Sequence, residues 1–185
     1  MRQPRPKDWG MREQSRVPRT PKIVDTNVCI VSNRRHGEDL QCASRCATQI
    51  REIVARGLLV IDTEGKIFEE YRRYLSFSGE PGFGDLLFKW LVDNLYREDH
   101  VARVVLNRRR ERETDYAEFP DDPAFEGFDR SDRIFVALAR AHPERPPILN
   151  AVDSDYWHYR EPLAQHGIKV IHVCGHQHYR PRAGR

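Results

Sequence analysis

The run Lys22-Ile-Val-Asp-Thr-Asn-Val-Cys-Ile-Val-Ser32 constrains this chain more than any other stretch. Ile23 and Val24 lead into Asp25, and apolar residues resume at Val28. A short, nearly continuous apolar run rich in β-branched residues and next to a proline reads as a strand buried on both faces. Such strands belong to parallel sheets covered by helices. A carboxylate inside one is costly, because loss of water penalises the charged form. It must be offset by a cation, by a set of donors, or by proton uptake. The reading taken here is a cation.

Downstream, the same periodicities repeat. Cys42 to Arg56 has a helical apolar stripe and ends at Gly57. Leu58 to Ile61 is a second buried strand ending at Asp62, with Thr63 placed to cap the next helix. Ile67, Phe68, Tyr71, Tyr74 and Leu75 mark that helix's inner face, and Leu86 to Tyr96 forms another. Val101 to Leu106 is a short strand, and 107–128 an extended surface segment. Asp129 or Ser131 caps a helix through Ala141. Pro147 to Val152 is a strand ending at Asp153, Tyr156 to His166 a helix closed by Gly167, and Ile168 to Val173 the last strand. Helices alternating with buried strands specify an α/β fold around a mainly parallel sheet.

Composition divides the chain further. Residues 1–21 hold four prolines, many charges and almost no apolar pattern, and read as a flexible basic arm. Residues 176–185 form a second basic tail, which leaves 22–175 as one folded domain. The arm and Lys22 carry seven cationic side chains against Asp8 and Glu13, and the tail adds Arg180, Arg182 and Arg185. The body between is net acidic. Basic ends suit a polyanion, and an acidic body with buried carboxylates suits metal ions. No apolar run approaches the ~20 residues of a membrane span, and no secretory signal is visible. The four cysteines make no dense framework. Cys29 and Cys174 read as buried thiols, and Cys42 and Cys46 lie four apart on a helix, so a reducing cytoplasm is the expected setting. Cys174, His176 and His178 lack a partner pair for a metal site and read as the start of an exposed tail.

In an open parallel sheet, ligands gather at the carboxyl ends of the strands. Asp25 and Asp153 lie at such positions, Asp132 opens the helix before the later strand, and Glu70 is on the helix after strand two. Several carboxylates around a hollow make a hard oxygen site for Mg2+ or Mn2+. There is no glycine-rich phosphate loop, zinc spacing or G-x-S-x-G elbow. Metal-assisted attack by water on a phosphodiester is the chemistry that remains.

Four segments then carry a resemblance. Ile23-Val24-Asp25-Thr26-Asn27 resembles the opening signature of PIN-domain nucleases. Phe68-Glu69-Glu70-Tyr71 is similar to their second acidic site. Asp132 to Ala139 is similar to the third, an Asp opening an Ala-rich helix, and Leu149 to Tyr156, with Asp153 and Asp155, to the fourth. The match runs in order from residue 22 to about 174. Position 151 is Ala where the family often has Thr or Ser. The resemblance implies a three-layer α/β/α sandwich and a Mg2+- or Mn2+-dependent ribonuclease with Asp25, Glu70, Asp132 and Asp153 as catalytic metal ligands. It also implies an RNA substrate and, as for many bacterial members, a VapC-type toxin with an antitoxin or other protein partner. A homodimer is compatible with it.

Some assignments stay open at this level. Asn27 either acts in catalysis or shapes the turn. Glu69 rivals Glu70, which is preferred. Asp129 and Asp132 compete for one helix cap, with Asp132 favoured as ligand and Asp129 as accessory. Asp155 is a second ligand or a cap. Arg108, Arg109 and Arg110, with the basic arms, are expected to hold the phosphate backbone. Tyr156, Trp157 and Tyr159 are assigned to the core. The rival reading is a non-catalytic PIN-like module that binds RNA or a protein.

Overall fold

A computed structural model of the chain describes residues 19–34, 39–109 and 115–175. Five strands form one wholly parallel sheet: β1 (Thr20–Val24), β2 (Gly57–Asp62), β3 (Val101–Val104), β4 (Ile148–Asn150) and β5 (Val170–His172). Their spatial order is β3-β2-β1-β4-β5. β1 is therefore central, and the order reverses between β1 and β4, where an open sheet of this kind has its crevice. Hydrogen bonds from Ile23 N to Pro147 O and from Asp25 N to Leu149 O, both 3.0 Å, zip β1 to β4 up to that crevice.

Helices cover both faces. α1 (Thr26–Ser32), α2 (Leu40–Arg56), α3 (Lys66–Tyr74) and α4 (Phe83–Asn94) connect β1 through β3, and α1 packs on α2, α3 and α4. α5 (Arg133–Ala141) lies against β1, β2 and β4, and α6 (Asp155–His158) and α7 (Arg160–Gln165) lead into β5. With right-handed crossovers this is a three-layer α/β/α sandwich. Ile23, Val24, Leu59, Val60 and Ile61 are all buried, as strands covered on both sides must be. No helix among the described residues is long and apolar enough to cross a membrane.

Several expectations need correction. The strand does not continue through Ser32: it ends at Val24, and residues 26–32 are helical. Asp25 is the cause, since its carboxylate accepts the Asn27 N–H at 2.8 Å from an extended N-cap conformation. That cap overrides the β preference of Val28, Ile30 and Val31. The apolar run is buried nonetheless, because α1 is wedged between the sheet and the neighbouring helices. β1 also opens at Thr20, so the end of the presumed arm belongs to the sheet; residues 1–18 and 176–185 lie outside the described residues. Gly65 rather than Thr63 is the N-cap of α3, and the first helical amides, Lys66 N and Ile67 N, donate to the Asp62 carboxylate. The helix expected over 156–166 is broken at Tyr159 into α6 and α7, as Pro162 has no N–H for the His158 carbonyl.

The segment 107–128 is not merely a surface strap. Tyr116, Phe119, Phe125 and Phe128 are buried, and the three phenylalanine rings cluster with Tyr159. Cys174 is not a free thiol either: it is joined to Cys42 in a disulfide spanning 132 positions of sequence.

Candidate active site

The crevice is built where β1 and β4 end. Asp25 sits there because it closes the β1 ladder and caps α1 in the same residue. It is 4 % exposed, and its other oxygen accepts the Tyr156 hydroxyl at 3.1 Å. Burial pushes its pKa up to about 8; the Asn27 amide opposes this, the charges of Asp153 and Glu70 add to it, and the Tyr156 hydroxyl opposes it again. So two donors only partly offset the cost of its position.

Asp132 precedes α5 and makes no side-chain capping bond. Asp129 does the local turn work instead, accepting from Ser131 N at 2.8 Å and from Ser131 Oγ at 2.7 Å. Asp132 is thereby left for the crevice. Its pKa is pushed up to about 10, first by burial, then by the charges of Asp25 and Asp153 and by a hydrogen bond to Asp153. Asp132 and Asp153 thus share one proton as a coupled pair. Asp153 is itself raised, mainly by burial, although it accepts the Asp155 N–H at 2.7 Å.

Glu70 reaches the same region from α3. Thr26 Oγ1 donates a short hydrogen bond to Glu70 Oε1. Burial raises the Glu70 pKa, while Thr26 and the charge of Arg73 hold it down. Glu69 faces solvent and pairs with Arg72.

A polar lattice fixes the backbone beneath the acids. Asn27 Nδ2 donates to Asn150 Oδ1 at 2.9 Å, and Asn27 Oδ1 accepts the Ala151 N–H at 2.8 Å. Asn150 in turn holds the Asp153 peptide, accepting from its N–H at 3.1 Å and donating to its carbonyl at 2.7 Å. Position 151 thus contributes a backbone amide. Asp155 accepts the Asp129 N–H at 3.0 Å and ties the start of α6 to the approach to α5. Asn27, Asp129 and Asp155 are braces in this structure.

Tyr156 lies in the core as expected from sequence, but its hydroxyl contact to Asp25, and the parts played by Thr26 and Asn150, were not read there. Asn150 had a signal: a polar side chain at the end of the apolar run Pro147–Leu149, where it is fully buried. Tyr156 had none, as a buried aromatic ordinarily fills space.

The carboxylates form a hard-oxygen donor set, Asp25 buried and Glu70, Asp132 and Asp153 half-buried, and that chemistry fits a divalent cation. Their spacing is looser than a finished site. Among the described residues, the group whose potential ligand atoms all lie within 4.8 Å of one another is the trio Cys42, Cys46 and Cys174, and no three carboxylates meet that measure. Each acid rests instead on hydrogen bonds: Glu70 on Thr26, Asp25 on Asn27 and Tyr156, and Asp132 on Asp153.

Arg108 and Arg109 have partners within the protein. Arg108 pairs with Glu64 at 2.6 Å; Arg109 donates to the carbonyls of Ala117 and Phe119 and pairs with Asp121. These contacts tie residues 108–109 to Glu64 and to residues 117–121, and Arg110 lies outside the described residues. Compared with protein-family models, with curated proteins and with solved structures, the chain gives no match.

Proposed function

We propose that this chain is a Mg2+- or Mn2+-dependent endoribonuclease of the PIN-like kind, acting on RNA phosphodiester bonds at Asp25, Glu70, Asp132 and Asp153. One observation carries the proposal. Four carboxylates from four separate segments gather where the sheet reverses its strand order; Asp153 and Glu70 raise the proton affinity of Asp25, and Asp25 and Asp153 raise that of Asp132. A fold that merely needed capping groups there would not bury several acids together at such cost.

Asp25, Glu70, Asp132 and Asp153 would hold the cation. When bound, it supplies an activated water and neutralises charge on the leaving oxygen. The chain's own residues prepare the place. Asn27 and Tyr156 fix Asp25, Thr26 orients Glu70, and the Asn150 lattice sets the height of Asp153. Asp132 gives up the proton it shares with Asp153, so cation binding strengthens as pH rises. The basic ends of the chain supply phosphate contacts that weaken with salt. Cytoplasmic action, and restraint by an antitoxin or other protein partner, belong to the same proposal.

The looser spacing of the acids favours the second reading, a non-catalytic module that binds RNA or a protein. Incubation of labelled single-stranded RNA and DNA with Mn2+ and with EDTA separates the two. The expected outcome is Mn2+-dependent RNA cleavage that Asp25→Asn abolishes while the variant stays folded. If Asp25→Asn cuts RNA as fast as the parent, the assignment of this site is wrong. RNA binding with no cleavage and no saturable Mn2+ uptake by calorimetry would establish the module.

A further inference from the structure

A second cluster of ligating side chains lies apart from the acids. α2 carries Cys42 and Cys46 four residues apart, hence on one face of the helix. The chain returns to them more than a hundred residues later, just past β5, and sets Cys174 against both. All three are buried, and their sulfurs lie within 4.8 Å of one another.

A disulfide accounts for two of these sulfurs. It does not account for the third, Cys46, whose Sγ lies 3.7 Å from that of Cys174. Thiolates bound to one tetrahedral zinc at ~2.3 Å lie about 3.8 Å apart. The Cys46–Cys174 spacing, an S–H···S contact while Cys174 is oxidised, also matches that of two sulfurs sharing an ion.

We infer that Cys42, Cys46 and Cys174 form a three-sulfur site that takes one Zn2+ when the Cys42–Cys174 bond is reduced. A dithiol reductant delivers two electrons and two protons to that bond and itself becomes a disulfide. Three thiols then stand together and release three protons as three Zn–S bonds form. Soft thiolates select Zn2+ over Mg2+ and Mn2+, so this site and the acidic crevice draw on different ions. The fourth donor is nitrogen or oxygen, since the remaining cysteine, Cys29, is on α1 and outside the trio. The ion would pin the chain beyond β5 to α2, and α2 packs on α1, which carries Thr26 and Asn27. Cys174 alone offered no metal site in sequence, and folding supplies its partners from α2.

The test uses the full chain, reduced with a dithiol, desalted under argon and titrated with Co2+. One equivalent should bind, with thiolate-to-cobalt charge-transfer absorption and the visible bands of a tetrahedral ion, and Zn2+ should displace it. Cobalt held by carboxylates gives no such charge transfer, so the readout is independent of the proposed nuclease site. Cys42→Ser, Cys46→Ser and Cys174→Ser should each remove the charge-transfer band, and Cys29→Ala should keep it. A reduced chain without that band, or a Cys46→Ser variant with the full spectrum, overturns the proposal. Native mass spectrometry of the reduced parent chain needs no variant: one bound zinc supports the site, and none refutes it.

Discussion

Tyr156 shows how one atom changes a residue's role. Its ring is fully buried and meets Phe128 edge-on, as a core aromatic would. Its hydroxyl, however, donates to a carboxylate oxygen of Asp25 at 3.1 Å. That bond favours the ionised form of Asp25 against the burial that raises its pKa. Tyr156→Phe keeps the ring and removes the donor, so Asp25 should hold its proton more tightly still. RNA cleavage should fall by roughly ten- to a hundredfold, as for other groups that orient a ligand. The acidic limb of the pH–rate profile should move to higher pH. A purely packing role would lower the melting temperature and leave the profile in place. The acids themselves were legible in sequence, because a charge at the end of a buried run is conspicuous. Their braces were not, because a hydroxyl on a buried ring and a threonine next to a ligand look like ordinary filling and turn residues. Arg108 and Arg109 were legible only as charge, and the charge turned out to pair within the protein.

At the scale of elements, α1 is the pivot. Asp25 caps it, Thr26 and Asn27 reach from its first turn to Glu70 and Asn150, and α2, α3 and α4 pack on it. Its contact with α4 depends on Gly84: a Cβ there would lie 2.4 Å from the carbonyl oxygen of Cys29, a backbone atom that cannot swing aside. Gly84→Ala should push the helices apart and cost about 1–3 kcal/mol, as overpacking of a close contact does. For a domain of this size each kcal/mol lowers the melting temperature by roughly 2–4 °C. An unchanged melting temperature by calorimetry would mean that the two helices separate freely. The sequence patterns found every strand and most helices, because burial on both faces leaves unbroken apolar runs. They missed α1, since a seven-residue helix buried all round carries the same unbroken run as a strand. Only the Asp25 cap distinguishes the two, and a position inside an apolar run favours a cation over a cap for that carboxylate. The aromatic cluster of 116–128 was missed for a different reason. Its rings are spaced by proline and charge, with neither period of a regular element, and they meet only through the tertiary fold.

For the molecule as a whole, the buried acids set how stability responds to pH. In the unfolded chain Asp25 and Asp132 ionise near 3.8; in the folded chain they do so near 8 and near 10, and Asp153 and Glu70 are raised too. Between those values the folded state holds more protons than the unfolded one, so stability is fully present in acid and falls as pH rises. His172 acts in the opposite sense: burial lowers its pKa from 6.5, so its ionisation in the unfolded chain costs stability below that value. Above pH 6.5 the His172 contribution fades and the carboxylates dominate the groups of shifted pKa among the described residues. The metal-free protein should therefore lose on the order of 1 kcal/mol per pH unit between pH 6.5 and 8, read as a falling melting temperature. Mn2+ should reverse the trend, because a bound cation replaces the protons and its stabilisation grows with the free concentration over Kd. Asp25→Asn with Asp132→Asn removes the two most shifted acids, and the doubly substituted protein should show a flat profile with or without Mn2+. A parent protein whose melting temperature rises from pH 6.5 to 8 without metal would show that the carboxylates are already ionised and satisfied. The crevice would then hold its charge by hydrogen bonds alone and have no vacancy for a cation to fill.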